Sequence, residues 1–212
     1  MGPATGGTNV VITGVGFFNE VSVIVGSQLA TKVVVVDDKT LQVTMPAGPA
    51  GAQPVKVVVA GIGTATRPAG FFFFDPKAQG PFPKLLAVMP GVGPTSGATV
   101  ARLLVQPAEA DAEVYFDGLP AKVLGADGQD ALVVETPAHG AGPVRVSIML
   151  KTGRAHTVHG AFSYYVAAAG TKPPVLTQIL PTSGSAAGGE PVQLTGTNLV
   201  PGTLAFMGYR PM

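Results

Sequence analysis

Three histidines and a short acidic run are the residues of this 212-residue chain most able to perform chemistry, since the sequence contains no cysteine. His156 and His159 are three positions apart, which on a β-strand places them on opposite faces and keeps them from binding one metal ion. The lack of cysteine also excludes disulfides, thiolate metal sites and cysteine nucleophiles. We therefore expect His139, His156 and His159 to be solvated hairpin residues, and we predict no metal site and no cofactor.

The acidic run Glu109, Asp111 and Glu113 would share one face of an extended strand. Carboxylates can bind calcium, but the loop spacing of a calcium-binding hand is missing here. We interpret the run as a solvated strand edge that discourages aggregation. The sequence also has neither a Gly-x-Ser-x-Gly nucleophile turn nor a Walker-type phosphate loop, so we predict no catalytic residue and no enzyme activity.

Composition narrows the class of protein further. Charged residues are 12% of the chain, about half the usual ~25%. Hydrophobic residues are 46%, which favours a turn-rich fold over disorder despite 29 glycines and 20 prolines. A net charge of +1 without a Lys/Arg cluster argues against nucleic acid and anionic membranes as partners. No apolar run approaches the roughly 18 residues of a membrane span, and the N-terminus lacks the pattern of a signal peptide, so we predict no membrane insertion.

The chain repeats itself at an offset of 91 residues. Pro3, Gly6 and Phe71 recur as Pro94, Gly97 and Phe162, and the pair Gly6-Gly7 recurs as Gly188-Gly189 at twice the offset. Within each copy the apolar residues alternate, as strands with one buried face require. These alternating runs include Val10/Ile12, Val21/Val23/Val25 and Val55/Val57/Val59 in the first copy, and Ala101/Leu103, Val114/Phe116 and Val144/Val146/Ile148 in the second.

Short strands separated by Gly, Pro and Asp turns predict an immunoglobulin-like β-sandwich in each copy. Asp127-Gly128-Gln129-Asp130 is typical of one such hairpin turn. The aromatic runs Phe71–Phe74 and Phe162–Tyr165 then end the first two copies as strands that fill the core.

Residues 3–17 and 23–26, and again residues 179–199, resemble the IPT/TIG family (immunoglobulin-like, plexin, transcription factors) in their paired turn glycines, Gly6-Gly7 and Gly188-Gly189, and in the Thr-Gly pairs that follow. The second copy departs from the pattern, with Ala98 in place of the second glycine. The resemblance extends over nearly the whole chain. It implies an all-β fold of tandem immunoglobulin-like (E-set, IPT/TIG) β-sandwiches in an extended arrangement.

We predict three modules: residues 1–75, without a leading strand; residues 84–166; and residues 174–212, the N-terminal half of a third sandwich. Proline-containing joints between them should limit bending. The half module would expose the inward face of Val192, Leu194, Leu204 and Phe206, which we predict to be an interaction surface. This surface could be covered by the rest of a longer array, by a strand from another chain, or by module two.

The resemblance implies a non-catalytic structural and interaction array of a bacterial-type cell-surface or secreted protein, located outside the cell or in its envelope. Such an array would act as a spacer and as a scaffold that binds protein or glycan, or neighbouring copies of itself. One alternative is an accessory carbohydrate-binding array of a polysaccharide-degrading enzyme, with an aromatic platform drawn from Phe82, Tyr115, Tyr165 and Tyr209. Another alternative is a filament subunit that exchanges strands between chains.

Overall fold

The computed structural model describes residues 1–18, 20–168, 170, 172, 174–199, 205–207 and 210–211. These residues form strands, turns and loops, and none of them is helical. No helix in this described part has the length and apolarity that a membrane crossing requires. Residues 1–165 form one compact unit and residues 166–212 a second.

Module one is a sandwich of two sheets that covers most of the first 75 residues. Its strands are Gly2–Pro3 (β1), Asn9–Thr13 (β2), Val21–Val25 (β3), Gln28–Leu29 (β4), Lys32–Asp37 (β5), Thr40–Thr44 (β6), Gly51–Val59 (β7) and Gly63–Phe74 (β8). The larger sheet has the order β1-β8-β7-β3-β4, and the smaller one the order β2-β6-β5.

Module two repeats this sandwich with one additional strand. Its strands are Lys84–Met89 (β9), Val92–Pro94 (β10), Val100–Gln106 (β11), Glu113–Phe116 (β12), Leu119–Pro120 (β13), Lys122–Ala126 (β14), Ala131–Glu135 (β15), Gly142–Met149 (β16) and Ala155–Tyr165 (β17). The sheet orders are β10-β17-β16-β12-β13 and β14-β15-β11-β9. The leading strand β9 is the additional one, and it lies beside β11.

The second unit contains two pairs of strands among its described residues. Val175–Leu180 (β18) pairs with Gln193–Thr197 (β19), and Phe206–Met207 (β20) pairs with Arg210–Pro211 (β21). Both pairs are antiparallel.

Strand pairing follows the 91-residue repeat residue by residue. The pair Val10↔Val43 of module one corresponds to Ala101↔Val134 of module two. Between the second and third copies, Leu103↔Val88 corresponds to Leu194↔Ile179, and even the irregularity in the ladder falls at the same place. The sequence repeat is therefore a structural repeat, and the predicted all-β fold of tandem immunoglobulin-like sandwiches is confirmed. The predicted module boundaries and the extended arrangement stay predictions.

Alternating side chains build one core inside each complete sandwich, as the period of two requires. The core of module one contains buried residues from both sheets, among them Val23, Leu41, Val43 and Phe73. The core of module two centres on Phe116 and Phe162, whose rings meet edge to face with centroids 5.2 Å apart. Phe71, Phe73, Phe162 and Tyr164 are buried, which confirms the core-filling role predicted for these four aromatic residues.

The turn that precedes the first long strand of each copy requires positive φ angles. In the first and third copies the second turn residue is glycine, Gly7 at φ 84° and Gly189 at φ 86°. Ala98 occupies that position in module two and keeps the conformation, at φ 59°. A left-handed alanine is strained because its Cβ crowds the following carbonyl oxygen.

Ala98→Gly should stabilise the protein by about 1 kcal/mol, because it relieves this strain. The Ala98 methyl is exposed, so little packing is lost with it. Urea unfolding monitored by circular dichroism measures the effect. The matched control is Ala126→Gly, also exposed but at the end of β14 in an ordinary strand conformation, where glycine should cost up to about 0.5–1 kcal/mol. Equal destabilisation by both changes would contradict the strain at Ala98.

Candidate interaction surfaces

A small apolar cluster, separate from both sandwich cores, joins the two complete modules. Ala69 and Phe72 of β8 pack there against Met149 of β16 and Ala155 of β17. All four side chains are buried. Tyr115 of β12 packs on the cluster, with its ring centroid 5.7 Å from that of Phe72. We call this cluster and the polar contacts around it the junction.

Phe72 can reach the junction because it lies between two core residues in an alternating strand. Phe71 and Phe73 contribute to the core of module one, whereas Phe72 belongs to the junction cluster. Burial on both faces explains why the last strand of module one is an unbroken aromatic run. Such a run would be an aggregation hazard if one face were exposed.

The backbones of the two modules approach closely at Gly153, in the β16–β17 turn. The Asp75 N–H donates to the carbonyl oxygen of Thr152 at 3.3 Å. A Cβ on Gly153 would lie 3.0 Å from the Cα of Phe74 and closer still to the carbonyl oxygen of Phe73. Gly153 also has φ 77°, so both conformation and space favour glycine here.

A carboxylate of module two anchors the polar side of the junction. Asp117 accepts a hydrogen bond from Arg67 Nη2 of module one at 3.0 Å and another from Arg145 Nε at 3.1 Å. His139 Nε2 lies 3.7 Å from the same carboxylate. Arg67 is 42% exposed at its side chain, so solvent weakens this pair and we assign it a role mainly in alignment.

The linker between the modules also contacts module two. Arg154 Nη2 donates to the carbonyl oxygen of Ala78 at 2.6 Å, and its guanidinium lies 4.7 Å from the centroid of the Phe82 ring. Phe82 meets Phe74 edge to face, with the centroids 5.5 Å apart. If the linker did not contact module two, the Ala78 carbonyl group and the Phe82 ring would lie in water.

The four aromatic residues considered for a sugar platform have different surroundings. Phe82 is engaged by Arg154 and Phe74, and Tyr115 packs on Phe72 and donates its hydroxyl hydrogen to Glu113. Burial, reinforced by this hydrogen bond, raises the pKa of Tyr115. Tyr165 is half exposed, and Tyr209 lies outside the described residues. Tyr115 therefore belongs to the junction, whereas Phe82 is 46% exposed and has Arg154 over its ring.

The histidines and acidic residues differ in part from their predicted environments. His156 is not a solvated residue, because its Nδ1 accepts a hydrogen bond from the Leu85 N–H at 3.1 Å. His139 stacks on Tyr164 with ring centroids 5.2 Å apart. Asp111 lies in a turn closed by the Ala112 N–H and the Glu109 carbonyl oxygen, so the predicted acidic strand is wrong before Glu113. Burial of Ala112 in the core of module two explains this turn.

Asp111 pairs with Lys151 on the surface, and this contact lowers the pKa of the carboxyl group. Within the part of the chain that the structure describes, no group of three His, Cys, Asp or Glu residues could hold a metal ion.

A second surface lies at the smaller sheet of module one. Strand β2 is at the edge of the β2-β6-β5 sheet, and its inward residues Val10 and Ile12 are only partly buried. Their counterparts in module two, Ala101 and Leu103, are fully buried. On the outer face of the sheet, Val11 and Val34 line a shallow groove of about 350 Å³.

The interaction residues predicted in the third copy are placed only in part. Val192 precedes β19 and Leu194 lies within it, and both are partly exposed. Phe206 begins the short strand β20, while Leu204 lies outside the described residues. The turn between β18 and β19, with Ile179 and Val192 at its ends, lines a groove of about 640 Å³. The role of these four residues stays a prediction.

Sequence reasoning missed the junction residues Phe72, Met149, Gly153, Arg67 and Asp117. The signal that could have identified some of them is the unbroken aromatic run, since a strand with one solvated face would alternate at Phe72. The partners of Phe72 come from turns and strands far apart in sequence, and no local pattern indicates them.

Comparison with known proteins gives a family match to module one. Residues 1–73 match the family model described as IPT/TIG domain. No curated protein matches the chain. Solved structures similar to it include two of the plexin A4 full extracellular region, with domains 1 to 8 and domains 1 to 10. They are 19% and 20% identical to this chain, cover 77% and 92% of it, and give a TM-score of 0.34 each.

A third similar structure comes from Bacteroides ovatus, the protein SGBP-B of a mixed-linkage glucan utilization locus in complex with a mixed-linkage heptasaccharide. It is 12% identical, with 83% of this chain covered and a TM-score of 0.29. This chain spans 17% of each plexin chain and 44% of the Bacteroides chain. On the turn and strand pattern, the two-sheet sandwich and the family match, residues 1–73 belong to the IPT/TIG domain family.

Proposed function

We propose that this chain is a non-catalytic spacer and interaction array of a cell-surface or secreted protein, in which modules one and two act as one rigid piece. The buried cluster of Ala69, Phe72, Met149 and Ala155 is the observation that carries this proposal. Rotation of one module against the other would expose these apolar side chains to water. A spacer needs such a joint, because a flexible joint would not hold its neighbours at a set distance.

Two further sets of contacts support a fixed joint. Asp117 hydrogen-bonds Arg67 across the modules, which favours one orientation about the cluster. Arg154 and Phe82 hold the linker against module two. The location outside the cell follows from the IPT/TIG resemblance, and so does binding of a protein or glycan.

We favour a protein over a glycan as the partner. Tyr115 packs on the junction cluster and Arg154 lies over the Phe82 ring, whereas a sugar-stacking platform needs exposed, roughly coplanar rings. Retention of the protein on insoluble polysaccharides in a pull-down would favour the accessory carbohydrate-binding array instead.

Distance measurement between spin labels tests the rigid pair. Because the chain has no native cysteine, Lys39→Cys and Gln129→Cys place one label on each module at exposed turns. We expect a single narrow distance distribution by double electron–electron resonance. The control pair Lys39→Cys and Thr64→Cys lies within module one and gives the width due to the labels alone. A much broader distribution for the inter-module pair would refute the rigid spacer.

A further inference from the structure

The edge strand β5 of module one presents a run of exposed valines. Residues 34–36 are all valine, and each is between 39% and 52% exposed. The run is bounded by two exposed charged residues, Lys32 and Asp37. An exposed edge strand rich in apolar β-branched residues is a site for pairing with another strand, and natural proteins usually interrupt such an edge.

Among the described residues this edge is open in both complete modules, so it is a property of the sandwich itself. Strand β14 of module two corresponds to β5 and is likewise an edge of the smaller sheet. The cross-strand partners of Val34 and Gly125 occupy equivalent places. At the 91-residue offset the three exposed valines correspond to Gly125, Ala126 and Asp127. The sandwich fold therefore does not require a valine run at this edge.

The backbone of β5 has hydrogen-bonding groups on its open side. The Gly14 N–H donates to the Lys39 carbonyl oxygen at 2.9 Å, so odd-numbered positions along β6 face β2 and even-numbered ones face β5. The partner of Val34 on β6 is even-numbered, so the backbone groups of Val34 point toward β6. Because these groups alternate along a strand, the N–H and C=O groups of Val33 and Val35 point to the open side.

The charges at the two ends of β5 are complementary to those of a second β5 that runs in the opposite direction. Lys32 and Asp37 both lie opposite even-numbered residues of β6, so their side chains share the outer face of the sheet. Neither has an ion-pair partner among the described residues. In an antiparallel pair of β5 strands centred on Val34, Lys32 of each copy comes beside Asp37 of the other. One twofold axis produces both contacts.

Another apolar side chain lies on the same side of the sandwich. Strand β4 is the edge of the larger sheet, and only residues 30 and 31 separate it from β5. Its Leu29 is 64% exposed. A second copy paired along β5 would cover part of this side chain and of the valine run, which adds apolar burial to the backbone hydrogen bonds.

We propose that β5 of module one pairs antiparallel with β5 of a second copy of this chain, across a twofold axis at Val34. Val33 of each copy then exchanges backbone hydrogen bonds with Val35 of the other, and two three-stranded sheets become one sheet of six strands. Lys32 and Asp37 set the register, because a shift separates the opposite charges. The inference goes beyond the spacer role, since it assigns a partner and a site to self-association. It does not depend on the junction, because all of these residues belong to module one.

The first arm of the test is sedimentation velocity of the 212-residue chain over a wide range of concentration. We expect a reversible dimer, and we expect Lys32→Glu to raise its dissociation constant by about tenfold, because a carboxylate then lies beside Asp37 at both ends of the contact. Lys122→Glu is the matched control, since it makes the same change at an exposed lysine of β14, and it should leave the dissociation constant unchanged. A chain that is monomeric at every concentration, or equal effects of the two changes, overturns the proposal.

The second arm is disulfide cross-linking, which is specific because the chain has no native cysteine. At the twofold axis Val34 lies opposite Val34 of the second copy as a non-hydrogen-bonded pair, with Cα atoms about 4.5 Å apart, which a disulfide can span. We expect Val34→Cys to form a covalent dimer on mild oxidation, seen on a non-reducing gel. Gln42→Cys is the matched control on β6, also exposed, but its two copies would lie about 14 Å apart, across three strand spacings. Equal cross-linking of the two variants, or no cross-linking of Val34→Cys, overturns the proposal.

Discussion

Gly153→Ala is expected to separate modules one and two into independently unfolding sandwiches. An alanine Cβ at this position would overlap the Phe73 carbonyl oxygen and crowd the Phe74 Cα, both backbone atoms that cannot rotate away. The turn would have to withdraw from module one. Phe72, Met149 and Ala155 would then lose the contacts that bury them.

Differential scanning calorimetry measures this separation. The unmodified residues 1–165, which form one compact unit, should unfold in a single transition, and the variant in two. The control is Gly128→Ala, which has nearly the same backbone angle, φ 76° against 77°, but an open environment. Both changes carry the left-handed strain of about 1–2 kcal/mol, so only the clash distinguishes them.

We expect Gly153→Ala to exceed its control by at least about 2 kcal/mol. One unchanged transition, with equal destabilisation by both variants, would show that the junction does not couple the modules. The spin-label pair on Lys39 and Gln129 gives an independent measure, since its distance distribution should broaden in Gly153→Ala and stay narrow in Gly128→Ala.

Phe116→Ala should destabilise module two by about 3–5 kcal/mol, which is the usual cost of a cavity left by a buried phenylalanine. Phe116 is 0% exposed and contacts the rings of Phe162 and Tyr164. Its removal takes away the centre of a three-ring cluster in the core, whose edge-to-face geometry adds to the burial energy.

Chemical denaturation followed by far-ultraviolet circular dichroism provides the measurement. Phe18→Ala is the matched control, because Phe18 is 52% exposed and should change the unfolding free energy by less than about 0.5 kcal/mol. A small effect of Phe116→Ala would mean that the core of module two is not organised around this ring.

Much of the fold could be predicted from the sequence because strand alternation and turn glycines are local signals. Val23 and Val25 alternate with polar or partly exposed positions in β3, and the 91-residue repeat supplied independent copies of the same pattern. The prediction that Glu109, Asp111 and Glu113 lie in one strand was wrong, and the reason is again local. Burial of Ala112 and a single backbone hydrogen bond close a turn there, and charge alternation does not reveal either.

The candidate surfaces depend on contacts between distant parts of the chain. The Arg67 and Asp117 pair joins residues 50 positions apart, and the Arg154 contact with Ala78 joins residues 76 positions apart. The sequence does not indicate either contact, because isolated charged residues such as Arg67, Asp117 and Arg154 are common on solvated faces.

By itself, the sequence determined the all-β class, the repeat, the register of the modules and the IPT/TIG resemblance, because each depends on side-chain period and turn conformation within a few residues. Only the tertiary structure decided that Phe72 joins two modules and that Arg67 of one module pairs with Asp117 of the other. Both are matters of which surfaces meet after folding. Burial of apolar area is non-directional, so the same alternating strand can face a core, a neighbouring module or water until its neighbours are in place.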